Sequence, residues 1–479
     1  MTRPSLVTKY RGAGQTECEV FQEAGGILVS LFTYGTAGLQ VSQNFKPGSL
    51  ATHWAGAIYA ISPEQGIYKN TPPSSSGILF HAFTAPNTGA ASWCMDWQTV
   101  FKDGKTQLFT MYHVATTNSA RMVFIDENDN VTETSDIVMP TPPLTPGYLR
   151  GLNFGNKIYT AAVTTSSSAI QITDPVAENG LQTFLPDLLT YGQIDLAMHS
   201  GIVYGYTQYS VVTVGLGNTL WNFSSAIPKK ELEWNLYNII APGAFGQCCI
   251  FSDGTDLVVM GAGSGVLNEE WDVWQINFDA GGQPIGITSV RDVTFGFDVL
   301  PAADTSRYYA SRDIESSAGV VQTDIHMVTR LGHVEGTPIH HYKWNGVGAP
   351  ATYLGVGGDS FTFDAPSWKV GGGARTFSNA DELDFIVTNV APTGSNVDIT
   401  YLITGSAPAS GVAMSVRFNN LKDSPVALAA VTPISNGFTS GNYIAGLTTS
   451  QSGIFRWDIA ANGVSPSDIP NLSAILIRT

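Results

Sequence analysis

Three stretches of this sequence hold residue types that can do chemistry. His326, His333, His340 and His341 crowd one segment; two or three imidazoles converging, with a second shell to orient them, would hold a metal such as zinc. Polar positions on two neighbouring strands and their loop explain the same histidines without a metal, so no metal-ligating residue is assigned. Arg307, Tyr308, Tyr309, Arg312, Asp313 and Glu315 gather carboxylates, tyrosines and arginines. Glycoside cleavage needs paired carboxylates, one acting as acid and the other as base or nucleophile, and arginines would hold an anionic sugar. No Asp-box repeats accompany the cluster and other arginines are scarce, so Arg307, Arg312 and Glu315 are read as structural. The run Asp126-Glu127-Asn128-Asp129-Asn130 resembles an acidic calcium loop but lacks its glycine and its closing glutamate; it reads as a plain turn. GxxxxGK[ST], GxGxxG and GxSxG are all absent, so phosphate cradles and the hydrolase elbow are unsupported. The sequence therefore assigns no catalytic residue, no cofactor and no metal.

Composition narrows the function classes. The 479 residues carry a net charge of −16 and a pI near 4.8, which opposes tight binding to phosphate backbones or anionic lipid. Charged residues are only 13% of the chain against a usual ~25%. Mean hydropathy is +0.06, yet no apolar run is long enough to span a bilayer. The opening MTRPSLVTKYRGAGQTE has no apolar core of a secretory signal. Cys18, Cys94, Cys248 and Cys249 form no CxxC pair and read as small buried hydrophobes. Low charge and β-type composition, without an export signal or a disulfide framework, fit a protein made in the cytosol and released on a particle.

The elements that must position any site are strands. Residues 107–134, QLFTMYHVATTNSARMVFIDENDNVTET, read as strand, linker, strand, polar turn and strand. The shape recurs, its inner-strand candidates running from GGILVSLFTYG (25–35) through QLFTMYHVA (107–115), KIYTAAVTT (157–165), GIVYGYTQYS (201–210) and DLVVMGAGS (256–264) to DIHMVTRLG (324–332). Each is flanked by further strands and Gly or Asp/Asn turns, giving a four-stranded meander repeated six times. Tandem meanders with no helical periodicity between them pack radially, because neighbours in a ring cover the faces that a lone sheet leaves open. The expectation is a six-bladed β-propeller over residues 16–365. Phe32, Tyr112, Tyr159, Tyr204, Trp274 and Tyr342 are expected to pack between blades. The weakest interval is 36–106, where ILFHAFTA (78–85) suits an insertion strand or part of a seventh blade. Residues 1–15 form an arm whose SLVTKY (5–10) is a candidate ring-closing strand.

At APSWKVGGGAR the pattern changes, and 366–375 reads as a linker. Beyond it, 376–479 carries seven to eight short alternating strands, the pattern of a β-sandwich, jelly-roll or immunoglobulin-like. The repeated meanders, the acidic low-charge composition and this C-terminal sandwich together resemble virion structural proteins of tailed bacteriophages, of the propeller-bearing tail nozzle or tail-tip type. The resemblance implies a non-enzymatic subunit in a symmetric ring around the DNA channel or in an appendage. It also implies a virion location and, as partners, copies of itself and other tail proteins. The sandwich would supply much of the contact between copies. A carbohydrate-binding adhesin that meets a host-surface glycan, and a glycan-cleaving propeller, stay open as alternatives.

Overall fold

The computed structural model describes residues 6–10, 18–24, 27–35, 51–62, 65–86, 94–95, 97–114, 119–138, 150–154, 156–163, 168–184, 192–211, 215–224, 228–236, 249–252, 255–262, 270–294, 305–316, 319–331, 339–343, 346–347, 352–357, 368–371, 383–405, 412–419, 426–427, 431–436, 438–440, 443–447, 452–462 and 473–478. The chain is all-β, a propeller followed by a sandwich. Among the described residues the propeller holds seven antiparallel sheets rather than the expected six. Blades 2 to 7 lie within 51–82, 98–138, 150–184, 192–236, 249–294 and 305–357, and in each the strands pair in chain order. Blade 3 adds a short fifth strand, Ile137–Val138.

Blade 1 explains the miscount. Its sheet runs Trp368–Gly371, Leu6–Tyr10, Cys18–Ala24, Ile27–Tyr34, so the N-terminal end of the chain supplies only three of its strands. GGILVSLFTYG is thus the outer strand of blade 1, not an inner one. AIYAIS and ILFHA belong to a complete second blade of their own, the extra blade anticipated for the 36–106 interval. The QLFTMYHVA strand, Lys105–His113, is the second of its sheet, preceded across a tight turn by Gln98–Lys102 as the repeat pattern indicates. Leu6–Tyr10 does close the ring, and it does so on Trp368–Gly371, a strand inside the expected linker. Closure by pairing removes two sheet edges that would otherwise stand open.

Local chemistry explains the repeated hairpins. At the first turn of blade 3, Asp103 and Gly104 both take positive φ (54° and 75°), and Ser200 and Gly201 do the same in blade 5 (51° and 76°). Two consecutive positive φ values define the hairpin turn whose twist matches its strands, and Asp-Gly suits it best. At the last turn of blade 3 the Asp126 carboxylate accepts the N–H groups of Asn128 and Asn130, both at 2.9 Å. Asp279 repeats this in blade 6 with the N–H groups of Gly281 and Gln283, at 2.8 and 2.9 Å.

Between blades the expected aromatics Phe32, Tyr112, Tyr159, Tyr204 and Trp274 are buried; the side chain of Tyr342 lies outside the described residues. First strands of neighbouring blades are tied by side-chain amides and carboxylates. Gln98 Nε2 donates to the Gly151 carbonyl at 2.8 Å, and Asp195 accepts the Ile250 N–H at 2.9 Å. Cys94 is buried, as expected of a small hydrophobe; the other cysteine side chains lie outside the described residues.

The described residues of the C-terminal region fold as two sheets, one of four strands and one of five. Its first strand, Leu383–Thr393, packs against the propeller. Ile386 is fully buried in the same apolar cluster as Leu108, Val123 and Ile125 of blade 3. The turn glycine Gly104 also lies against Val390, where an added Cβ would sit 3.5 Å from its backbone nitrogen. The sandwich is joined to the propeller by core packing as well as by chain.

Candidate binding site

A group of charged and aromatic side chains lies at the seam between blades 2 and 3. Glu133 closes the outer strand of blade 3, Val131–Glu133. Its carboxylate accepts hydrogen bonds from Tyr112 Oη (2.6 Å) and Arg121 Nη1 (2.9 Å) of its own sheet. His81 Nε2, on the outer strand of blade 2, completes the set at 2.9 Å. The Arg121 guanidinium also holds Asp136 through Nε. Beneath them Phe83 and Tyr112 stack almost face to face, centroids 4.0 Å apart and 7° from parallel.

Strand geometry brings these residues together. Tyr112 and Arg121 are directly paired across the hairpin, so their side chains leave the same face of the sheet. Val123 pairs with Glu133, and the two-residue alternation from Val123 puts Arg121 on the same face as Glu133. His81 reaches over from the neighbouring blade. Its carbonyl lies against Gly66, where an added Cβ would sit only 2.1 Å from the oxygen, so a side chain at 66 would displace the His81 strand.

The electrostatics make this a holding site. Burial alone would push the Glu133 carboxyl up, but the hydrogen bonds from His81, Tyr112, Arg121 and Thr84 outweigh it and hold it at about 2. Burial and the nearby Glu133 push the Tyr112 hydroxyl well above the ordinary tyrosine range. Glu133 and Asp136 together raise Arg121, which stays charged throughout. The side chain of Glu133 is 9% exposed, whereas Arg121, His81 and Asp136 are 20%, 23% and 38% exposed. A part-buried, well-satisfied anion therefore lies under a rim of more open donors and acceptors.

A second cross-blade group lies along the same seam. Tyr59 and Lys69 of blade 2 both bind the Asp129 carboxylate, and Trp54 Nε1 donates to the Asp126 carbonyl at 3.4 Å. Asp126 itself is committed to Lys105 Nζ at 2.6 Å and to Asn130. The Asp126–Asn130 run is thus the turn that its sequence indicates, and it doubles as a clasp on the neighbouring blade.

The residues singled out from sequence fall elsewhere. Arg307 to Glu315 all lie on the first strand of blade 7, Thr305–Ser316, where Arg312 pairs with Thr323 and Glu315 with Val320. His326 pairs with Lys343, His340 with Thr329 and His341 with Val328, so no two of these histidines are directly opposed. Their side chains lie outside the described residues, as does His333. Among the described residues no group of three or more His, Cys, Asp or Glu could hold a metal. Sequence reasoning missed the seam because its members come from separate strands of two blades; Arg121 and Glu133 sat inside the stretch recognised for its shape alone.

No family model matches the chain, and no curated protein matches it. Among solved structures it is similar to hydrazine synthase of Kuenenia stuttgartiensis, at 10% identity and TM-score 0.39, over 64% of this chain and 79% of that one. It is similar to the Dos1 propeller at 10% identity and TM-score 0.39, over 85% and 93% of the two chains. It is also similar to the six-bladed, fucose-recognising lectin of Aleuria aurantia, at 11% identity and TM-score 0.37, over 74% and 95%. At such identities and TM-scores these likenesses carry no statement about residues or ligands.

Proposed function

We propose that this chain is a non-enzymatic, carbohydrate-binding propeller whose site is the seam between blades 2 and 3. One observation carries the reading: Arg121, His81 and Asp136 form a partly open rim of hydrogen-bonding groups over the saturated Glu133. Sugars are recognised by a few well-placed polar groups on a rigid frame, and a planar guanidinium is suited to taking two oxygens at once. Binding is favoured over cleavage because a glycan-cleaving acid must keep its proton near working pH. Glu133 is instead held at about 2. Glu127, pushed up by burial, lies in the hairpin turn, at the other end of the strand from Glu133. No observation at the seam or in the sheets favours the phage tail-subunit reading over this one.

The test is a glycan array probed with the labelled chain, followed by calorimetric titration of the sugars that bind. Arg121→Ala should weaken binding tenfold or more, while Lys230→Ala, on the outer strand of blade 5, should leave it unchanged. Absence of binding to every sugar, or unaltered binding by Arg121→Ala, overturns the proposal. Release of a cleaved product overturns its non-enzymatic half.

A further inference from the structure

We infer that the seam selects neutral sugars bearing adjacent hydroxyl groups and discriminates against anionic ones; this rests on the reading above and names its ligand class. The ground is the charge already spent within the site. Arg121 faces two carboxylates, Glu133 through Nη1 and Asp136 through Nε. His81, the other group able to carry positive charge here, is committed to the second oxygen of Glu133 at 2.9 Å. Tyr112 adds a neutral donor to the same carboxylate. An incoming carboxylate or sulfate would find no unbalanced cation, would meet Asp136 as a like charge, and would approach a chain of net charge −16.

A hydroxyl group meets the opposite situation, because it donates and accepts at once. Arg121 Nη2 has no partner among the described residues, and the Asp136 carboxylate is the most open acceptor of the rim. Two adjacent hydroxyls can therefore bridge the guanidinium edge and that carboxylate, one accepting and the other donating. Neither of the ion pairs already in place has to break. An anion accepting from the same Nη2 would instead stand beside the carboxylates of Asp136 and Glu133, with no charge left on the guanidinium to balance it.

The experiment compares neutral oligosaccharides with the same oligosaccharides capped by sialic acid or sulfate, using the full chain on one array. The neutral members should bind at least tenfold better at low salt, and their binding should change little as salt rises, since no net charge is being matched. Asp136→Asn should lower neutral binding several-fold and narrow the gap to the capped probes. Arg121→Lys, which keeps the charge but loses the planar fork, should cost tenfold or more. Equal or stronger binding of capped probes, or an unchanged gap in Asp136→Asn, overturns this inference while leaving the glycan-binding reading standing. Binding of no probe at all removes both.

Discussion

The seam between blades 2 and 3 and the seam between blades 5 and 6 are built on the same backbone and filled with opposite chemistry. In blade 3, Arg121 stands opposite Tyr112 on the strand that runs into the Asp126 turn; in blade 6, Trp274 stands opposite Val259 on the strand that runs into the Asp279 turn. The two turns share their hydrogen bonds, so Arg121 and Trp274 hold the same structural position. Across from Arg121 the neighbouring blade offers His81. Across from Trp274 it offers Trp234, which meets that ring edge-on at 6.1 Å and stacks on Tyr206 at 5.9 Å. One seam is cemented by ring packing, and Trp274 is 4% exposed. The other is cemented by a part-buried anion and leaves charged groups at its rim. A shared frame thus leaves a single strand position free to decide whether a seam is closed core or polar rim.

Three measurements break or sharpen that comparison. The largest effect belongs to the apolar seam: Trp274→Ala should cost about 3–5 kcal/mol by loss of buried surface and a residual cavity. The loss, read from urea unfolding, should be nearly the same at pH 7 and pH 4. The polar seam should lose less to the isosteric Glu133→Gln, about 1–3 kcal/mol, because the amide keeps an acceptor but not the charge. Here the pH dependence identifies the group. The folded carboxyl is held at about 2, so the unfolded chain takes up this proton first. The stabilisation is full above the ordinary carboxylate range near 4.5 and is lost as pH falls toward 2. Glu133→Gln should flatten that part of the acid-unfolding curve; an unchanged curve would mean that Glu133 does not hold the seam.

The smallest contrast lies in the two matching turns. Asp126→Ala removes the partner of Lys105 and the bonds to Asn128 and Asn130. Asp279→Ala removes only the exposed turn bonds to Gly281 and Gln283 among the described contacts. The second should cost about 0.5–1.5 kcal/mol and the first somewhat more, with a further loss of contact to blade 2. Equal costs would show that the blade 3 turn is not a clasp.

Much of the frame was legible in the letters. Alternating apolar residues between Asp-Gly, Ser-Gly and Asn-rich turns announce a strand wherever they occur, because side-chain alternation and positive-φ turns are local properties. That is why QLFTMYHVA, KIYTAAVTT and GIVYGYTQYS were found as strands, and the Asp126 run as a turn. The count of blades was not local: blade 1 takes its first strand from Trp368–Gly371, so a reader moving from the N-terminus meets three strands and assigns the following ones wrongly. The same distance hid the docking of Ile386 on blade 3, since nothing in IVTNV says which surface it will cover.

The candidate site shows the division most clearly. The sequence by itself determined that Arg121 and Tyr112 would lie on one hairpin, because pairing across a short loop fixes their register. Only the tertiary structure decided that His81, from another sheet, would share Glu133 with them. The chemistry of the seam comes from that shared anion: His81, Thr84, Tyr112 and Arg121 together hold one carboxylate ionised, and no single strand contains all of them.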